Sequence, residues 1–347
     1  MLFLVIAARR LPPSPAVLSP QTEPSTDPSL QEVQALVDVL YERYRGLCDG
    51  EVATYIPELA RMPPDKFAIA LVSAGGQEFV AGDIEHPFTI QSISKPLTFG
   101  MAIEACGREE VLRHVSVEPS GDVFNAIELQ NGSNRPFNPM VNTGAIAVTA
   151  LLYHCYGDDA LERILERLSL AAGRRLEVDQ AVYQSERRTG HRNRAIAHLL
   201  LNFGLMDYDA EAALDLYFKQ CAILVTCRDL ATIAATLSNM GRNPVTGMSV
   251  YDVASVKDML SIMFTCGMYD YSGQWAFRVG VPAKSGVGGG VMAVVNRQIG
   301  IATFSPRLDS HGNSCRGIEV CVELASRLGL HAFDCLNAGS SYLGTIL

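Results

Sequence analysis

The most restrictive feature of this 347-residue sequence is the position of its strand-like segments, which lie near both ends of the chain. Residues 67–72 are apolar, break at two adjacent glycines and resume at 79–81, a pattern that predicts a β-hairpin. Strand patterns return only at 276–279, 291–295 and 299–304. Because neither alternating βαβ units nor internal repeats occur, the sequence predicts an α+β fold with one antiparallel sheet built from both chain ends.

The middle of the chain, from about residue 92 to 265, carries apolar residues at helical spacing. One apolar stripe covers 161–168 and stops before Gly173, and a second covers 230–240 and stops before Gly241. Glycine is common just beyond a helix, because it adopts the left-handed backbone conformation without strain. The sequence therefore predicts a helical middle region between the two halves of the sheet.

Three segments of the chain differ in their predicted order. Residues 1–27 are predicted to be a flexible extension, because the prolines at positions 12, 13, 15, 20 and 24 prevent a continuous helix. Residues 28–335 are predicted to form one folded domain that ends with a helix at 318–328, and 336–347 are a C-terminal tail. The apolar start is too short to span a membrane, and its arginines follow it, whereas those of a secretory signal precede it.

The net charge and the cysteine pattern limit the kinds of partner and the cell compartment expected for this protein. The net charge of −9 argues against a protein that follows the phosphates of a nucleic acid, and no feature of the sequence indicates contact with a membrane. The nine cysteines include no C-x-x-C pair and lie mostly among apolar residues, which indicates reduced, buried thiols. Reduced thiols are typical of a reducing compartment, so we expect a cytoplasmic protein.

Ser92 and Lys95 form the one Ser-x-x-Lys motif of the chain. If a helix begins near Ser92, the two side chains lie on the same face, one turn apart. A serine hydroxyl becomes a nucleophile when a base removes its proton, and a desolvated lysine can serve as that base. The start of a helix also directs backbone N–H groups toward a developing oxyanion. By itself the motif is weak, and an ordinary helix start with a solvated lysine is the alternative.

Lysine usage favours a chemical role for this motif. The chain contains 23 arginines and only five lysines, so arginine carries its general surface charge. Arginine cannot give up its proton in a protein, whereas a buried lysine can. Two of the five lysines, Lys95 and Lys284, lie in candidate motifs.

The second candidate motif has the sequence P-A-K-S-G-V at 282–287 and is followed by three glycines. Glycines at the entry to a strand allow a substrate to lie close to the backbone, although a glycine-rich hairpin turn is the alternative explanation. Together with an upstream Ser-x-x-Lys, a K-[ST]-G strand resembles the penicillin-recognising acyl-serine enzymes. Their S-D-N element is absent from this sequence, which argues against a penicillin substrate.

The run T-I-Q-S-I-S-K-P-L at 89–97 resembles the nucleophile motif of the serine-dependent, β-lactamase-like glutaminases. Further runs similar to that family occur in the same order: V-A-T-Y-I-P at 52–57, E-P-S-G at 118–121, N-P-M-V-N-T-G-A-I at 138–146, Q-S-E at 184–186, R-N at 192–193, D-L-Y-F at 215–218, C-G-M-Y-D at 266–270 and P-A-K-S-G-V at 282–287. They span about residues 30–330, so coincidence is negligible. The resemblance is to the short bacterial form of the family, and it implies a β-lactamase/penicillin-binding-protein-like fold for a glutaminase catalytic domain at 28–335.

The resemblance implies a role for each matching residue. Ser92 is implied as the nucleophile and Lys95 as its basic partner, with Tyr269 and Tyr55 as further catalytic residues of the pocket. The positions implied to contact substrate are Ser92, Asn142, Glu186, Asn193, Tyr217, Tyr269 and Val287. The one visible departure in the nucleophile motif is Ser94, which faces away from the site if the helix is regular. The family is also expected to need no cofactor and to form a homotetramer or homodimer.

Several of these residues have simpler explanations if the resemblance is set aside. Glu186 has arginine neighbours at 187, 188 and 192, so a salt bridge is the alternative for it. Asn142 and Asn193 alone would be turn or cap residues, and the tyrosines would be packing aromatics. His191 and His198 are seven residues apart, and no third ligand lies at helical spacing, so no metal site is predicted.

The expected reaction is hydrolysis of L-glutamine by water to L-glutamate and ammonia through a glutamyl-serine intermediate. Glu186 is expected to pair with the α-ammonium, and the two asparagines with Tyr217 to donate to the α-carboxylate. The backbone N–H groups of Ser92 and Val287 are expected to form the oxyanion hole. Two alternatives stay open: a penicillin-interacting acyl-serine enzyme, and an amino-acid-binding module that has the pocket without turnover.

Overall fold

The computed structural model describes residues 28–121, 126–206 and 209–334. The predicted extension at 1–27 and the predicted tail at 336–347 lie outside the described residues, so both stay predictions.

The largest sheet is antiparallel throughout and takes its strands from both ends of the chain. The strands of the described residues are β1 (Glu51–Val52), β2 (Ala68–Ser73), β3 (Glu78–Gly82), β4 (Phe88–Thr89), β5 (Leu224–Val225), β6 (Ala283–Ser285), β7 (Gly290–Val295), β8 (Ile299–Phe304) and β9 (Arg307–Leu308). The main sheet has the order β3-β2-β8-β7-β6, so an early hairpin pairs with three late strands. Short pairs β1–β9 and β4–β5 complete the strand pairing. The sheet predicted from the sequence is confirmed.

Helices fill the chain between the two groups of strands, as the spacing of apolar residues predicts. The helices of the described residues are α1 (Pro28–Tyr44), α2 (Ser94–Cys106), α3 (Arg108–His114), α4 (Asn142–Tyr156), α5 (Ala160–Ala172), α6 (Gln180–Thr189), α7 (His191–Asn202), α8 (Ala210–Cys221), α9 (Cys227–Ser238), α10 (Val253–Cys266), α11 (Ser272–Arg278) and α12 (Cys315–Leu328). Helix α5 ends as predicted at Gly173, which has φ +78°.

Helices cover both faces of the main sheet, and the alternation of side chains along β2 shows how. Ala70 and Val72 belong to the apolar core that α9 shares, whereas Ile69 and Leu71 belong to the core that α1 and α12 share. Successive side chains of a strand point to opposite faces, so each strand contributes to both cores. The sheet is therefore the middle layer between α9 on one side and the terminal helices on the other.

A buried polar network joins three helices of the middle region. Gln220 in α8 donates to the hydroxyls of Ser94 (3.0 Å) and Thr98 (3.2 Å) in α2, and it accepts from Thr149 in α4 (3.1 Å). All four side chains are excluded from water. A satisfied network of this kind specifies one packing arrangement, because any shift leaves a buried polar group without a partner. The network holds α2 and α4 side by side with their N-terminal ends together.

The predicted strand at 276–279 is wrong, because this segment lies in and just after helix α11. Trp275 and Val279, four residues apart, are buried, while Phe277 between them is 85% exposed. Burial at that spacing is helical, and alternation of polar and apolar residues in so short a segment does not distinguish the two structures. The Trp275 Nε1 donates to the carbonyl oxygen of Val281, which holds the short helix against the strand that follows.

The second apolar stripe of the middle region ends earlier than predicted. Helix α9 stops at Ser238, and Met240 follows in a left-handed conformation with half of its side chain exposed. Gly241 then closes the turn at φ +85°, where a Cβ atom would lie 2.1 Å from the carbonyl oxygen of Tyr251. The glycine is required for this close approach, but Met240 is not part of the helix.

The eight cysteines within the described residues are all free thiols. Four of them, Cys221, Cys227, Cys266 and Cys321, are buried as expected, whereas Cys48 and Cys155 are exposed. Among the described helices, none combines the length and apolar character needed to cross a membrane.

Candidate active site

Ser92 lies in the middle of a short 3-10 turn, Gln91–Ile93, that leads directly into α2. Gln91 has φ +49°, a left-handed conformation that residues with a Cβ atom rarely adopt. The residue is buried, with 2% of its surface exposed. Such backbone strain persists where the surroundings enforce it, commonly at functional sites. The Ser94 hydroxyl donates to the Gln91 carbonyl and accepts from Gln220, so Ser94 faces α8 and not the site.

Lys95 is buried one turn beyond Ser92, with 1% of its surface exposed. Its Nζ donates to the Met140 carbonyl oxygen (3.2 Å) and to the Asn142 side-chain oxygen (2.7 Å). Neither of these hydrogen bonds, the two that Lys95 makes within the described residues, goes to Ser92. Burial lowers the pKa of Lys95 to about 8, against the opposite pull of nearby groups such as the Glu186 carboxylate. A neutral amine at this position is therefore accessible close to neutral pH.

Tyr269 lies near enough to Ser92 for the serine hydroxyl to lower its pKa in part, against the larger effect of burial. Its own hydroxyl donates its single proton to the Ser285 carbonyl oxygen at 2.9 Å. Burial raises the pKa of Tyr269, which keeps the phenol neutral in the resting site. The backbone of Tyr269 is left-handed, with φ +60°, a second strained residue beside the nucleophile.

Asn142, the first residue of α4, connects four of the predicted site residues. Its side-chain oxygen accepts from Lys95 (2.7 Å) and from the Tyr217 hydroxyl (3.4 Å). Its side-chain nitrogen donates to the Asn193 side-chain oxygen (3.1 Å) on α7. The amide therefore links helices α2, α4, α7 and α8 at one point. As isolated residues, these asparagines suggested only turns or caps.

Glu186 in α6 is buried and unpaired. Its Oε2 has no hydrogen-bond partner among the described residues, and none of the three neighbouring arginines at 187, 188 and 192 forms an ion pair with it there. Burial raises the pKa of Glu186 to about 8, although the charge of Lys95 opposes the rise. A buried carboxylate oxygen without a partner is unusual in a folded protein and indicates a missing hydrogen-bond donor.

Tyr55 reaches the same site from the segment after β1. Its ring is half exposed, but its hydroxyl lies inward and donates to the Gln91 side-chain oxygen at 3.2 Å. Burial of the hydroxyl raises the pKa of Tyr55, and the nearby Glu186 carboxylate adds to the rise. Tyr55 therefore lies at the boundary between the buried site and solvent.

Val287 lies in the glycine turn between β6 and β7, directly beside the nucleophile turn. A Cβ atom on Gly288 would lie 2.6 Å from the Thr89 carbonyl oxygen, so the glycines allow the two turns to touch. Within the described residues, the Val287 N–H donates to no backbone carbonyl outside the regular elements.

The comparisons with known proteins agree with this geometry. A family model described as "Glutaminase" matches residues 50–333. The chain belongs to the glutaminase family. It is 53% identical over 309 residues to a curated glutaminase from Nostoc sp., a match that covers 89% of this chain and 92% of that relative. It is 54% identical to glutaminase 2 of Bradyrhizobium diazoefficiens over 85% of this chain, although that match covers 47% of the longer relative.

Solved glutaminase structures have the same fold. A structure titled as the probable glutaminase YbaS aligns with a TM-score of 0.84 at 40% identity, covering 87% of this chain and 98% of that one. A structure of Mglu in its glutamate form aligns with a TM-score of 0.83 at 42% identity, covering 87% of this chain and 70% of that one.

In this member of the glutaminase family, hydrogen bonds join four of the predicted site residues, Lys95, Asn142, Asn193 and Tyr217. Glu186 lies close enough to Lys95 and Tyr55 to shift their pKa values. Sequence reasoning missed Gln91, which holds the strained position before Ser92 and binds Tyr55. It also gave no role to the buried Gln220 and assigned no contact to Lys284. The scarcity of lysine and the K-S-G motif were the signals that pointed to Lys284. Across residues 28–121, 126–206 and 209–334, no three His, Cys, Asp or Glu side chains lie close enough together to hold a metal ion.

Proposed function

We propose that this protein hydrolyses L-glutamine to L-glutamate and ammonia, with Ser92 as the nucleophile that carries the glutamyl group. The observation that carries the proposal is the buried carboxylate of Glu186, whose Oε2 has no partner within the described residues. An α-ammonium group supplies the missing donor and the missing positive charge at once. The Mglu structure titled as a glutamate form supports the same product class for this family.

Substrate recognition depends on polar groups that are in place before substrate arrives. Glu186 receives the α-ammonium, and Asn142, Asn193 and Tyr217 surround the α-carboxylate without any arginine. Asn193 and Tyr217 are already bonded to Asn142, so these three are held in place rather than recruited. A substrate that lacks either α-group leaves a buried polar group unmatched, which weakens binding strongly.

The acyl transfer begins when the Ser92 oxygen attacks the side-chain amide carbon of glutamine. The oxyanion is received by the N–H groups of Ser92 and Val287. Ammonia leaves when its nitrogen accepts a proton from Lys95 or Tyr269, and water then releases glutamate from Ser92. These steps use the substrate, water and side chains of the protein, with no cofactor.

Two residues compete for the role of base toward Ser92. Lys95 has the pKa suited to the role, about 8, because a useful base titrates near the working pH. Tyr269 lies near Ser92, and its hydroxyl is held in place by the bond to the Ser285 carbonyl. We propose that Lys95 accepts the proton overall and that Tyr269 passes it on. The Lys95→Arg variant described in the Discussion separates these roles.

We also propose that the fold is of the β-lactamase/penicillin-binding-protein type. In support, the Ser-x-x-Lys turn and the K-S-G strand, 190 residues apart in the chain, are adjacent at one edge of an antiparallel sheet. The absence of S-D-N from the sequence separates this chain from penicillin recognition. A homotetrameric or homodimeric, cytoplasmic enzyme is the further expectation from the family resemblance.

Ammonia release by the purified protein tests the function. We expect turnover of L-glutamine and very little of L-asparagine or N-acetyl-glutamine, because the first displaces the amide by one methylene and the second removes the α-ammonium. Ser92→Ala should abolish turnover, whereas Ser261→Ala, on the exposed face of α10, should not. Comparable rates on asparagine and glutamine would contradict the pocket assignment. Glutamate binding without ammonia release would indicate a binding module, and hydrolysis of a chromogenic β-lactam would indicate the penicillin-interacting alternative.

A further inference from the structure

Lys284 is a fully buried lysine that the proposed reaction does not use. It lies in β6, within the K-S-G motif, and none of its surface is exposed. Its Nζ donates to the carbonyl oxygens of Gly267 (2.9 Å) and Ser285 (2.7 Å). The same nitrogen lies 4.0 Å from the centre of the Tyr269 ring.

These contacts favour the charged form of Lys284. An ammonium has three N–H donors, and the three neighbours of this nitrogen are two carbonyl oxygens and the face of an aromatic ring, all of which accept. A neutral amine would direct its lone pair at one of these three neighbours, none of which has a proton to donate. Burial and the charge of Lys95 lower the pKa of Lys284, so the acceptors offset a real penalty.

The backbone that Lys284 binds is the one that carries Tyr269 in its strained conformation. Gly267 packs so closely on β6 that a Cβ atom there would lie 1.7 Å from the Ala283 carbonyl oxygen. The Ser285 N–H also donates to the Gly267 carbonyl at 3.3 Å. Two residues after Gly267, Tyr269 has φ +60°. The Tyr269 hydroxyl donates to the Ser285 carbonyl oxygen, which also accepts from Lys284. Lys284 thus binds the carbonyl two residues before Tyr269, the carbonyl that accepts from the Tyr269 hydroxyl, and the face of the ring.

We propose that Lys284 is a positioning residue that holds the Tyr269 hydroxyl against Ser92, through the Gly267 carbonyl, the Ser285 carbonyl and the aromatic ring. This inference rests on the proposed function of Ser92 and Tyr269. Without the Lys284 amino group, Tyr269 loses the contacts that offset its backbone strain and turns its hydroxyl away from the nucleophile. Lys284 itself touches no reacting atom.

The first test replaces Lys284 by methionine, which keeps the length of the side chain and removes its donors. We expect kcat to fall by about a hundredfold, the effect of an approximately 1 Å displacement of a catalytic group, while KM stays within about threefold. Arg316→Met is the matched control, because Arg316 is also buried, donates to the Leu47 and Asp65 carbonyls and lies over the Phe67 ring, away from the site. The control should lower the melting temperature and leave kcat unchanged. Lys284→Gln, which keeps two N–H donors on a shorter side chain, provides a milder variant if the methionine variant does not accumulate folded protein.

A double-mutant cycle with Tyr269→Phe separates positioning from general stability. If Lys284 acts through the Tyr269 hydroxyl, Lys284→Met should lower kcat far less in the Tyr269→Phe background than in the unaltered protein. Equal losses in the two backgrounds would overturn the proposal, as would a Lys284→Met protein with normal kcat.

The same cycle can be measured on the rate at which a fluorophosphonate labels Ser92, a reaction in which the serine oxygen attacks phosphorus and fluoride leaves. This readout does not depend on glutamine being the substrate. Labelling with the expected non-additivity but without ammonia release would overturn the proposed function and support the role of Lys284. Additive effects on labelling would overturn the role of Lys284 even if glutamine is hydrolysed.

Discussion

The side-chain oxygen of Asn142 accepts a 2.7 Å hydrogen bond from Lys95 Nζ, so a predicted substrate contact is bonded directly to the predicted base. If Asn142 receives the α-carboxylate of glutamine as proposed, that carboxylate also approaches Lys95 Nζ. We therefore expect substrate binding and the protonation of Lys95 to be coupled. The same amide reaches Asn193 and Tyr217, so the coupling extends across the whole site.

Lys95→Arg tests the base. Arginine keeps the charge and similar bulk but cannot accept the Ser92 proton, so we expect a folded protein that binds glutamate and loses kcat by about two orders of magnitude or more. Steady-state ammonia release together with glutamate binding by calorimetry measures both properties. Lys257→Arg, in which the lysine is 74% exposed, is the control and should behave as the unaltered protein. Near-normal turnover in Lys95→Arg would transfer the role of base to Tyr269 or Tyr55.

Activity should rise with pH through about 8. The pKa of Lys95 is lowered to about 8 and that of Glu186 is raised to about 8, both mainly by burial, so each group loses its proton into the active form as pH increases. The amine of Lys95 must be neutral to act as base, and Glu186 must be ionised to bind the α-ammonium. On the acid side, kcat/KM should therefore fall by up to a hundredfold per pH unit, about tenfold for each of two required ionisations. For kcat we expect a fall of about tenfold per pH unit on the acid side, because bound substrate keeps Glu186 ionised and only the ionisation of Lys95 remains.

The pH profile of Lys95→Arg provides the check on that assignment. The variant should lose one of the two ionisations from kcat/KM and retain the one that belongs to Glu186. If the acid limb of the kcat/KM profile is unchanged in Lys95→Arg, that limb belongs to a group other than Lys95.

Glu186→Gln should separate binding from chemistry. Glutamine at position 186 preserves shape but cannot pair with an α-ammonium, and charged hydrogen bonds contribute about 1.5–3 kcal/mol. We therefore expect KM for L-glutamine to rise at least tenfold, with a smaller change in kcat, in initial-rate measurements across substrate concentration. Glu109→Gln, at an exposed position of α3, is the matched control. A Glu186→Gln protein with the original KM would exclude Glu186 as the ammonium site.

Deletion of residues 1–27 should leave fold and turnover intact, because this segment is rich in proline and has no apolar periodicity. The deletion stops before α1, whose Val37 and Leu40 are fully buried and whose Gln34 exchanges two hydrogen bonds with the backbone of Val80. Removal of α1 as well should yield insoluble protein, since it uncovers one face of the main sheet. Circular dichroism, melting temperature and ammonia release compare the two truncations. A large loss on removal of 1–27 alone would show that the extension docks on the domain or on a neighbouring subunit.

Local sequence patterns predicted the elements that depend on local forces. The hairpin of β2 and β3, strands β7 and β8, and helices α5 and α12 follow from apolar periodicity and from glycines at their ends. The failures also have local causes. At 276–279 the segment is too short for its period to be read, and at Met240 an apolar residue follows the helix without belonging to it.

The sequence by itself determined the two-ended sheet, the helical middle and the chemical types of the site residues, because periodicity and residue chemistry are carried by neighbouring positions. Only the tertiary structure decided which of those residues meet. It joined Lys95 to Asn142 rather than to Ser92, placed the Tyr269 hydroxyl on the Ser285 carbonyl, and left Glu186 Oε2 buried without a partner within the described residues. Hydrogen bonds and pKa shifts of this kind depend on burial and on contacts between residues far apart in the chain, and the packing of α2, α4, α6 and β6 sets both.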